Sequence, residues 1–238
     1  MTTKNKRIYL DIKEIKTDKT LQNIYYHHDE DNINKGYAFI YGNPGTPYGY
    51  GYYLFEFTFP ENYPFSPPNV KFITGDGITR FHPNLYVDGK ICLSILNTWP
   101  GEKWSSCQSI LTILINLSVI LDNNPLLYEP SVNMNHPDIE NYNEIIYYRN
   151  IEKNILYYLD EKNIPHNFLW AKNHFSTLFM ENFNNILNVI NDKNMQHKHK
   201  NKNKQISLYK KLGCIINYVK LKGDILKIKE DIVKFKET

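Results

Sequence analysis

Hydrophobic alternation of period two is confined to residues 21 to 73 of this chain, and helical spacing governs the sequence after residue 105. That segregation constrains the fold more than any other feature. Strands in one block and helices in the next give an α+β architecture, because a doubly wound sheet needs the two patterns to alternate. The clearest strand is Gly51 to Phe59, with Tyr53, Phe55, Phe57 and Phe59 on one face and Leu54, Glu56 and Thr58 on the other. Leu21 to His28 and Tyr37 to Tyr41 precede it, across a connection rich in turn formers, and Val70 to Ile73 follows. Between the last two lies FPENYPFSPP, Phe59 to Pro68, whose prolines exclude both helix and central strand.

Helices flank this block. Residues 3 to 16 place Ile8, Ile12 and Ile15 at helical spacing behind Thr2 or Thr3 as a cap. A buried helix is expected from Ser105, where Ser105-x-x-Gln108 has the form of a capping box and Ile110 to Leu121 is apolar nearly all round, ending at Asn123-Asn124-Pro125. Residues 138 to 162 and 166 to 191 are the next helices, the latter with Phe168, Ala171, Phe175, Leu178, Phe179, Phe183, Ile186, Leu187 and Ile190 on one stripe. Residues 193 to 204, KNMQHKHKNKNK, read as a solvated linker. A final helix is expected over Ile206 to Phe235, from Tyr209, Leu212, Ile216 and Val219 and then Ile225, Ile228, Ile232 and Phe235.

Composition sets the class. A chain that is 42% hydrophobic and 14% aromatic is no disordered polyelectrolyte, and a mean hydropathy of -0.51 excludes an integral membrane protein. The charged start MTTKNKRIYLDIKEIK lacks the apolar core of a signal peptide. Cys92, Cys107 and Cys214 form no CxxC, which fits a reducing, intracellular setting. Charge is split: residues 1 to 192 hold 15 Lys+Arg against 21 Asp+Glu, and residues 193 to 238 hold 13 Lys against 4 acids. The body is acidic and the end is basic, suited to meeting nucleic acid, anionic membranes or acidic protein faces.

Reactive residues concentrate between Thr74 and Gly101, an irregular stretch too apolar to be disordered. Its centre is Arg80-Phe-His-Pro-Asn-Leu-Tyr-Val-Asp-Gly-Lys-Ile-Cys-Leu-Ser-Ile-Leu-Asn-Thr-Trp, residues 80 to 99. His82-Pro83-Asn84, followed eight residues later by Cys92-Leu93, resembles the signature of ubiquitin-conjugating (E2) enzymes. Tyr48, the Phe59-to-Pro68 segment, Trp104-Ser105 and Asn124-Pro125 match further elements of that family in order. The resemblance covers roughly residues 1 to 160 and is nearest the larger E2s and E2/E3 hybrids that share a CLSILNTW-like segment.

The resemblance implies a UBC-like fold: N-terminal helix, four-stranded antiparallel meander, active-site loop and buried central helix. It would span residues 1–162 as the catalytic domain, with a helical extension over 163–192, the linker 193–204 and a basic C-terminal helix over 205–238. It implies that Cys92 accepts ubiquitin or a ubiquitin-like protein from an E1 enzyme as a thioester and passes it to a substrate lysine or an E3 cysteine. Asn84 then serves the oxyanion or organises the loop, and Glu129, in Asn124-Pro125-Leu-Leu-Tyr-Glu129-Pro130, orients or deprotonates the incoming lysine. His82 and Pro83 are structural, and Lys6, Arg7, Phe65, Ser105 and Ser106 form the surface for E1 and for RING or HECT type E3 enzymes. Many members carry aspartate two residues after the cysteine, where this chain has Ser94, and the usual proline after Ser105 is Ser106. No bound cofactor is expected, since ATP is used by the E1. The expected location is cytoplasmic or nuclear, in the host cytoplasm if the source is viral.

The same residues admit other readings. His82, Asn84 and Cys92 suggest a Cys-His-Asn hydrolase, but such a triad needs a mobile imidazole, and a histidine locked before proline sets the loop instead. Cys107 and Cys214, at apolar helical spacing, read as small buried hydrophobes. His27-His28 and His197-x-His199 lack a third ligand, and no metal is assigned. The alternative function is a noncatalytic ubiquitin-binding or adaptor module on the same fold, and the C-terminal helices are alternatively an assembly module. A partner for the basic end is not identified by the sequence.

Overall fold

The computed structural model describes residues 2–18, 21–198, 201–210 and 212–237, with side chains up to Lys234. Helix α1 (Thr3–Thr17) begins where the Thr2 hydroxyl accepts the Asn5 N–H at 3.2 Å, satisfying an amide that no carbonyl of the helix reaches. Ile8 and Asp11 face inward and are buried. Asp11 accepts from Arg7 Nε at 2.6 Å, from the Tyr63 hydroxyl and from the Ile110 N–H at 3.4 Å. One carboxylate thus fastens α1 to the proline-rich loop and to the start of the central helix.

Strands β1 (Ile24–His28), β2 (Lys35–Tyr41), β3 (Tyr52–Thr58) and β4 (Asn69–Phe72) form the expected antiparallel meander in sequence order. Ile40 lies opposite Tyr53, Ala38 opposite Phe55, and Phe55 opposite Phe72. The alternation places Tyr53, Phe55 and Phe57 on one face, all fully buried in the core that also takes Ile110, Ile113, Leu114 and Leu117 of the central helix. The other face is covered as well. Phe175 packs against Phe39 and Tyr52 at ring-centroid distances of 5.0 and 4.3 Å, and the Tyr52 hydroxyl donates to the Phe175 carbonyl at 2.8 Å. This cover is helix α5 (Lys172–Gln196), entered through a 3-10 turn at His166–Ala171; of its predicted stripe Phe168, Ala171, Phe175, Phe179, Phe183, Ile186 and Ile190 are buried, and Leu178 and Leu187 are half-buried at its margin.

The central helix starts later than the sequence suggested. Helix α2 spans Ile110–Val119, and Ser109 with Thr112 supplies its capping box. Ser105 and Gln108 instead close a turn, in which the Ser105 N–H donates to Gln108 Oε1 and the Gln108 N–H to the Ser105 carbonyl, each at 3.0 Å. Arg7 donates to the Ser106 and Gln108 carbonyls, so these oxygens serve α1 and not a helix. Cys107 therefore sits on an exposed turn, contrary to its reading as a buried hydrophobe. Ile115 and Val119 are also exposed, so α2 is not buried all round.

The candidate helix over 138–162 appears as α3 (Asp138–Arg149), a π-helical stretch (Asn150–Leu156) and α4 (Tyr157–Leu159). The π turn begins at a side chain held by the sheet. Asn150 Nδ2 donates to the Gly49 carbonyl at 2.8 Å, and its Oδ1 accepts from the Tyr53 hydroxyl at 2.6 Å. Gly51 makes that approach possible, since a Cβ there would stand 1.9 Å from Asn150 Oδ1.

Beyond Asp192 the structure departs from the sequence reading. The described residues of 193–204 do not form a linker throughout: α5 continues to Gln196 and Lys202–Gln205 forms strand β5. The final helix does not start at residue 206. Gly213–Ile216 is strand β6, antiparallel to β5, and only Tyr218–Glu237 is helical, as α6. The reason is alternation within β6, where Cys214 and Ile216 are buried and Ile215 is exposed. Cys214 is buried as expected, but on a strand, and Val219 of the predicted stripe is exposed. His199 lies outside the described residues, and Phe235 outside the described side chains.

Acidic side chains of α3 hold this segment. Asp138 Oδ2 accepts from the Ser207 N–H, the Ser207 hydroxyl and the Leu208 N–H at 2.9, 2.7 and 3.0 Å. Glu144 accepts from Lys193 Nζ at 2.9 Å and from the Tyr218 hydroxyl at 2.7 Å, and lies 3.0 Å from His197 Nε2.

Candidate active site

The loop that carries Cys92 is built on main-chain bridges. The Leu85 N–H donates to the His82 carbonyl and the Tyr86 N–H to the Lys90 carbonyl, each at 2.9 Å. The turn closes at Gly89, whose positive φ of 92° suits glycine. A Cβ there would stand 2.8 Å from the Phe72 carbonyl, and the Phe72 N–H donates to the Gly89 carbonyl at 2.9 Å, tying the turn to β4.

Asn84 and Cys92 clamp each other within this loop. The Cys92 N–H donates to the Asn84 carbonyl at 2.9 Å, and Asn84 Nδ2 donates to the Cys92 carbonyl at 2.8 Å. The Asn84 N–H in turn donates to His82 Nδ1 at 2.9 Å. His82 is fully buried, and desolvation, aided by the charge of Arg80, pushes its pKa down to about 3. A neutral ring whose Nδ1 accepts an amide is a loop brace and no general base, which disposes of the hydrolase triad.

Neighbouring groups brace both ends of the clamp. Upstream, the Tyr48 hydroxyl donates to the Phe81 carbonyl at 2.8 Å, the Tyr142 hydroxyl to the Arg80 carbonyl at 2.8 Å, and Arg80 Nη2 to the Pro83 carbonyl. Downstream, Thr98 Oγ1 accepts the Leu93 N–H at 2.9 Å and donates to the Leu93 carbonyl at 3.0 Å. Ser94–Leu96 forms a 3-10 turn that ends at Asn97 in the left-handed region, and Asn97 Oδ1 accepts the Trp104 N–H at 3.1 Å. Cys92 is thus a thiol at the wall of the core, 3% exposed, on backbone held from both sides.

Glu129 follows a 3-10 turn at Pro125–Tyr128. The Tyr128 ring meets the His82 ring edge-on at 4.7 Å, which joins this turn to the Cys92 loop. Glu129 itself makes no hydrogen bond to Cys92 or Asn84 among the described residues; its Oε2 accepts from the Tyr209 hydroxyl at 2.6 Å. Tyr209 and Arg80 are contributors that the sequence reading missed. Arg80 is the first residue of the reactive stretch, whereas nothing in the sequence ties Tyr209 to it.

The expected docking residues also come together. Trp104 Nε1 donates to the Pro64 carbonyl at 2.7 Å and Arg7 holds the Ser106 carbonyl, which sets α1, the proline-rich loop and the 105–108 turn side by side. Phe65 is 72% exposed on this edge, and Lys6, Ser105 and Ser106 are exposed beside it. The histidines considered for metal have other partners. His28 bonds the Tyr26 hydroxyl and the Ile33 carbonyl, His27 stacks on Trp170, and His197 meets Glu144. No helix among the described residues is long and apolar enough to cross a membrane.

Comparison with known proteins places the chain in a family. The family model described as ubiquitin-conjugating enzyme matches residues 7–154. Ubiquitin-conjugating enzyme E2 Z of Danio rerio is 41% identical over 146 residues, covering 60% of this chain and 44% of the relative. The Homo sapiens protein of the same name is 44% identical over 126 residues, covering 52% and 36%. The chain therefore spans less than half the length of these relatives. The E2 domain of a Toxoplasma gondii ubiquitin conjugating enzyme superposes with a TM-score of 0.43 at 31% identity, over 53% of this chain and 79% of that one.

Proposed function

Because the chain belongs to the ubiquitin-conjugating enzyme family, we propose that it takes the C-terminal glycine of ubiquitin from an E1 enzyme as a thioester on Cys92. From there the ubiquitin passes to a substrate lysine or to a cysteine of an E3. In the first step the Cys92 thiolate adds to the carbonyl carbon of the E1 thioester, and the E1 cysteine leaves as thiolate. In the second, a lysine amine adds to the same carbon, Cys92 leaves, and the amine proton passes to a base. A thiol suits both steps because it is nucleophilic as thiolate and leaves readily.

The second step is the harder one. A solvated lysine of pKa ~10.4 is neutral in only about one molecule in 10³ at neutral pH, and desolvation beside a placed acceptor recovers up to about 10² to 10³ of that factor. We assign the acceptor to Glu129. Asn84 holds the Cys92 peptide in the free enzyme, and an amide donor at the developing oxyanion is worth roughly 3 kcal/mol. The surface of Lys6, Arg7, Phe65, Ser105 and Ser106 is assigned to E1 and to RING or HECT type E3 partners.

The observation that carries this reading is the reciprocal Asn84–Cys92 clamp on a loop braced at both ends. Incubation with E1, ubiquitin and ATP is expected to give a reductant-sensitive adduct. Cys92→Ser turns it into a reductant-resistant oxyester, and Cys92→Ala abolishes it. No adduct on the unaltered chain, or an adduct that survives Cys92→Ala, refutes the proposal.

A further inference from the structure

The turn between β5 and β6 reaches the site from outside the region matched by the family. Leu212 N–H donates to the Tyr209 carbonyl at 2.7 Å within that turn, and Asp138 secures its other limb through Ser207 and Leu208. Tyr209, so placed, makes two contacts with the site. Its hydroxyl donates to Glu129 Oε2 at 2.6 Å, and its ring receives the Arg80 guanidinium, 4.9 Å from the centroid, while the same guanidinium stands 3.7 Å from the Tyr86 ring. Arg80 in turn donates to the Pro83 carbonyl, one residue before Asn84. One tyrosine therefore touches both the carboxylate assigned to the incoming amine and the cation that braces the Asn84–Cys92 loop.

We propose that Tyr209 is a positioning residue for the transfer step: it fixes the rotamer of Glu129 by binding one carboxylate oxygen and leaves the other to the attacking amine. The inference rests on the role assigned above to Glu129. The geometry is that of a base held by a third group, with one oxygen occupied and no hydrogen bond on Oε1 among the described residues. Burial and the hydrogen bond to Glu129 push the Tyr209 phenol well above its ordinary acidity range, so it remains a donor at any working pH. The C-terminal extension would thereby supply a part of the acyl-transfer site that the matched region lacks.

The test reads transfer alone. The full chain is charged with ubiquitin on Cys92 by an E1, freed of E1 and ATP, and chased with free lysine over a range of concentrations. Tyr209→Phe keeps the ring on Arg80 and removes only the hydroxyl. It is expected to lower the saturating discharge rate about tenfold at an unchanged half-saturating lysine concentration, as loss of alignment and not of binding. In a Glu129→Gln background, itself slowed, Tyr209→Phe is expected to cost nothing further, whereas a purely structural defect would appear in both backgrounds. An unchanged or faster rate in Tyr209→Phe overturns the proposal. So does an equal loss in the Glu129→Gln background, or a Glu129→Gln chain that discharges normally. Failure of the unaltered chain to charge sinks the functional reading itself, whereas normal charging with normal discharge of Tyr209→Phe sinks this inference alone.

Discussion

Replacing Asp138 with alanine isolates what holds the C-terminal turn in place. Its Oδ2 accepts three hydrogen bonds, two from main-chain amides and one from a hydroxyl, at 2.7 to 3.0 Å. Each bond to a charged acceptor contributes about 1.5–3 kcal/mol when dry. Ser207 is exposed and Leu208 half-buried, so water replaces part of that, and the net local cost of Asp138→Ala is about 2–4 kcal/mol. At ~1.4 kcal/mol per decade, the Ser207 and Leu208 amides exchange about 30- to 700-fold faster if they exchange by local opening. Buried amides of α3 near Ile146 should keep their protection, because that part of the helix packs on the core. Asp138→Asn retains an acceptor without its charge and should fall between. The carboxyl also has a pH signature. Burial pushes its pKa up, but the bonds from Ser207 and Leu208 and the charge of His136 outweigh this and hold it below the ordinary carboxylate value. The anchor is therefore fully present above about pH 4 and is lost as pH falls through the lowered value. Hydrogen exchange followed by mass spectrometry over residues 201–218 reads both effects. Unchanged exchange in Asp138→Ala would refute the reasoning and leave the apolar contacts of Ile206 and Leu212 as the anchor.

Two further perturbations test the core beneath the site. His82 is neutral in the fold down to about pH 3 but titrates near 6.5 when unfolded, so between those values the unfolded chain binds the extra proton. Stability should fall as pH falls through that window, by about 1.4 kcal/mol per unit from this residue, and urea melts of His82→Asn from pH 6 to pH 4 should show a slope shallower by about one proton; an identical slope would contradict the assignment. Gly51→Ala drives a Cβ to 1.9 Å from Asn150 Oδ1 and should cost about 2–4 kcal/mol in thermal or urea melts. Adding Asn150→Ala should cost less than the sum of the single changes, because it removes the clashing atom, and strict additivity would contradict that geometry.

The meander was legible because β2 and β3 bury one alternating face against α2, and alternation records such burial directly. That the other face is also dry was implicit in the aromatic content of Tyr37, Phe39 and Tyr52, but only α5 supplies the reason. The start of α2 was misread because two capping boxes stand four residues apart. The choice between them was made by Arg7, 99 residues away in sequence from Ser106, whose guanidinium takes the carbonyls of the first box. The tail was misread for a related reason. Tyr209, Leu212 and Ile216 satisfy helical spacing, yet Ile216 is buried by a strand pairing, and the Tyr209 side chain is directed by Glu129 and Arg80. Of the site, the His82, Asn84 and Cys92 grouping was visible because its partners lie within ten residues of one another. The Tyr209 contact spans 80 residues and leaves no local trace.

The split between an acidic body and a basic end acquires a physical meaning from α3. Glu144 is 8% exposed and carries Lys193, His197 and the Tyr218 hydroxyl on its two oxygens. Burial pushes its pKa up, but Tyr218, Lys193 and His197 together hold it below the ordinary value, so it is ionised at neutral pH. Removing any one partner leaves a buried charge less well compensated, which is the costly way to break such a cluster. Through Lys193 the charge difference is in part an interface within the molecule, between the end of the matched region and the segment that brings Tyr209 to Glu129, which Asp138 holds through the neutral donors of Ser207 and Leu208. Such buried pairs are little affected by salt, whereas the basic charge on exposed Lys198, Lys202, Lys210, Lys220 and Lys227 is open to screening. The lysine-rich end thus combines a salt-resistant contact within the molecule, through Lys193, with exposed charge that salt screens.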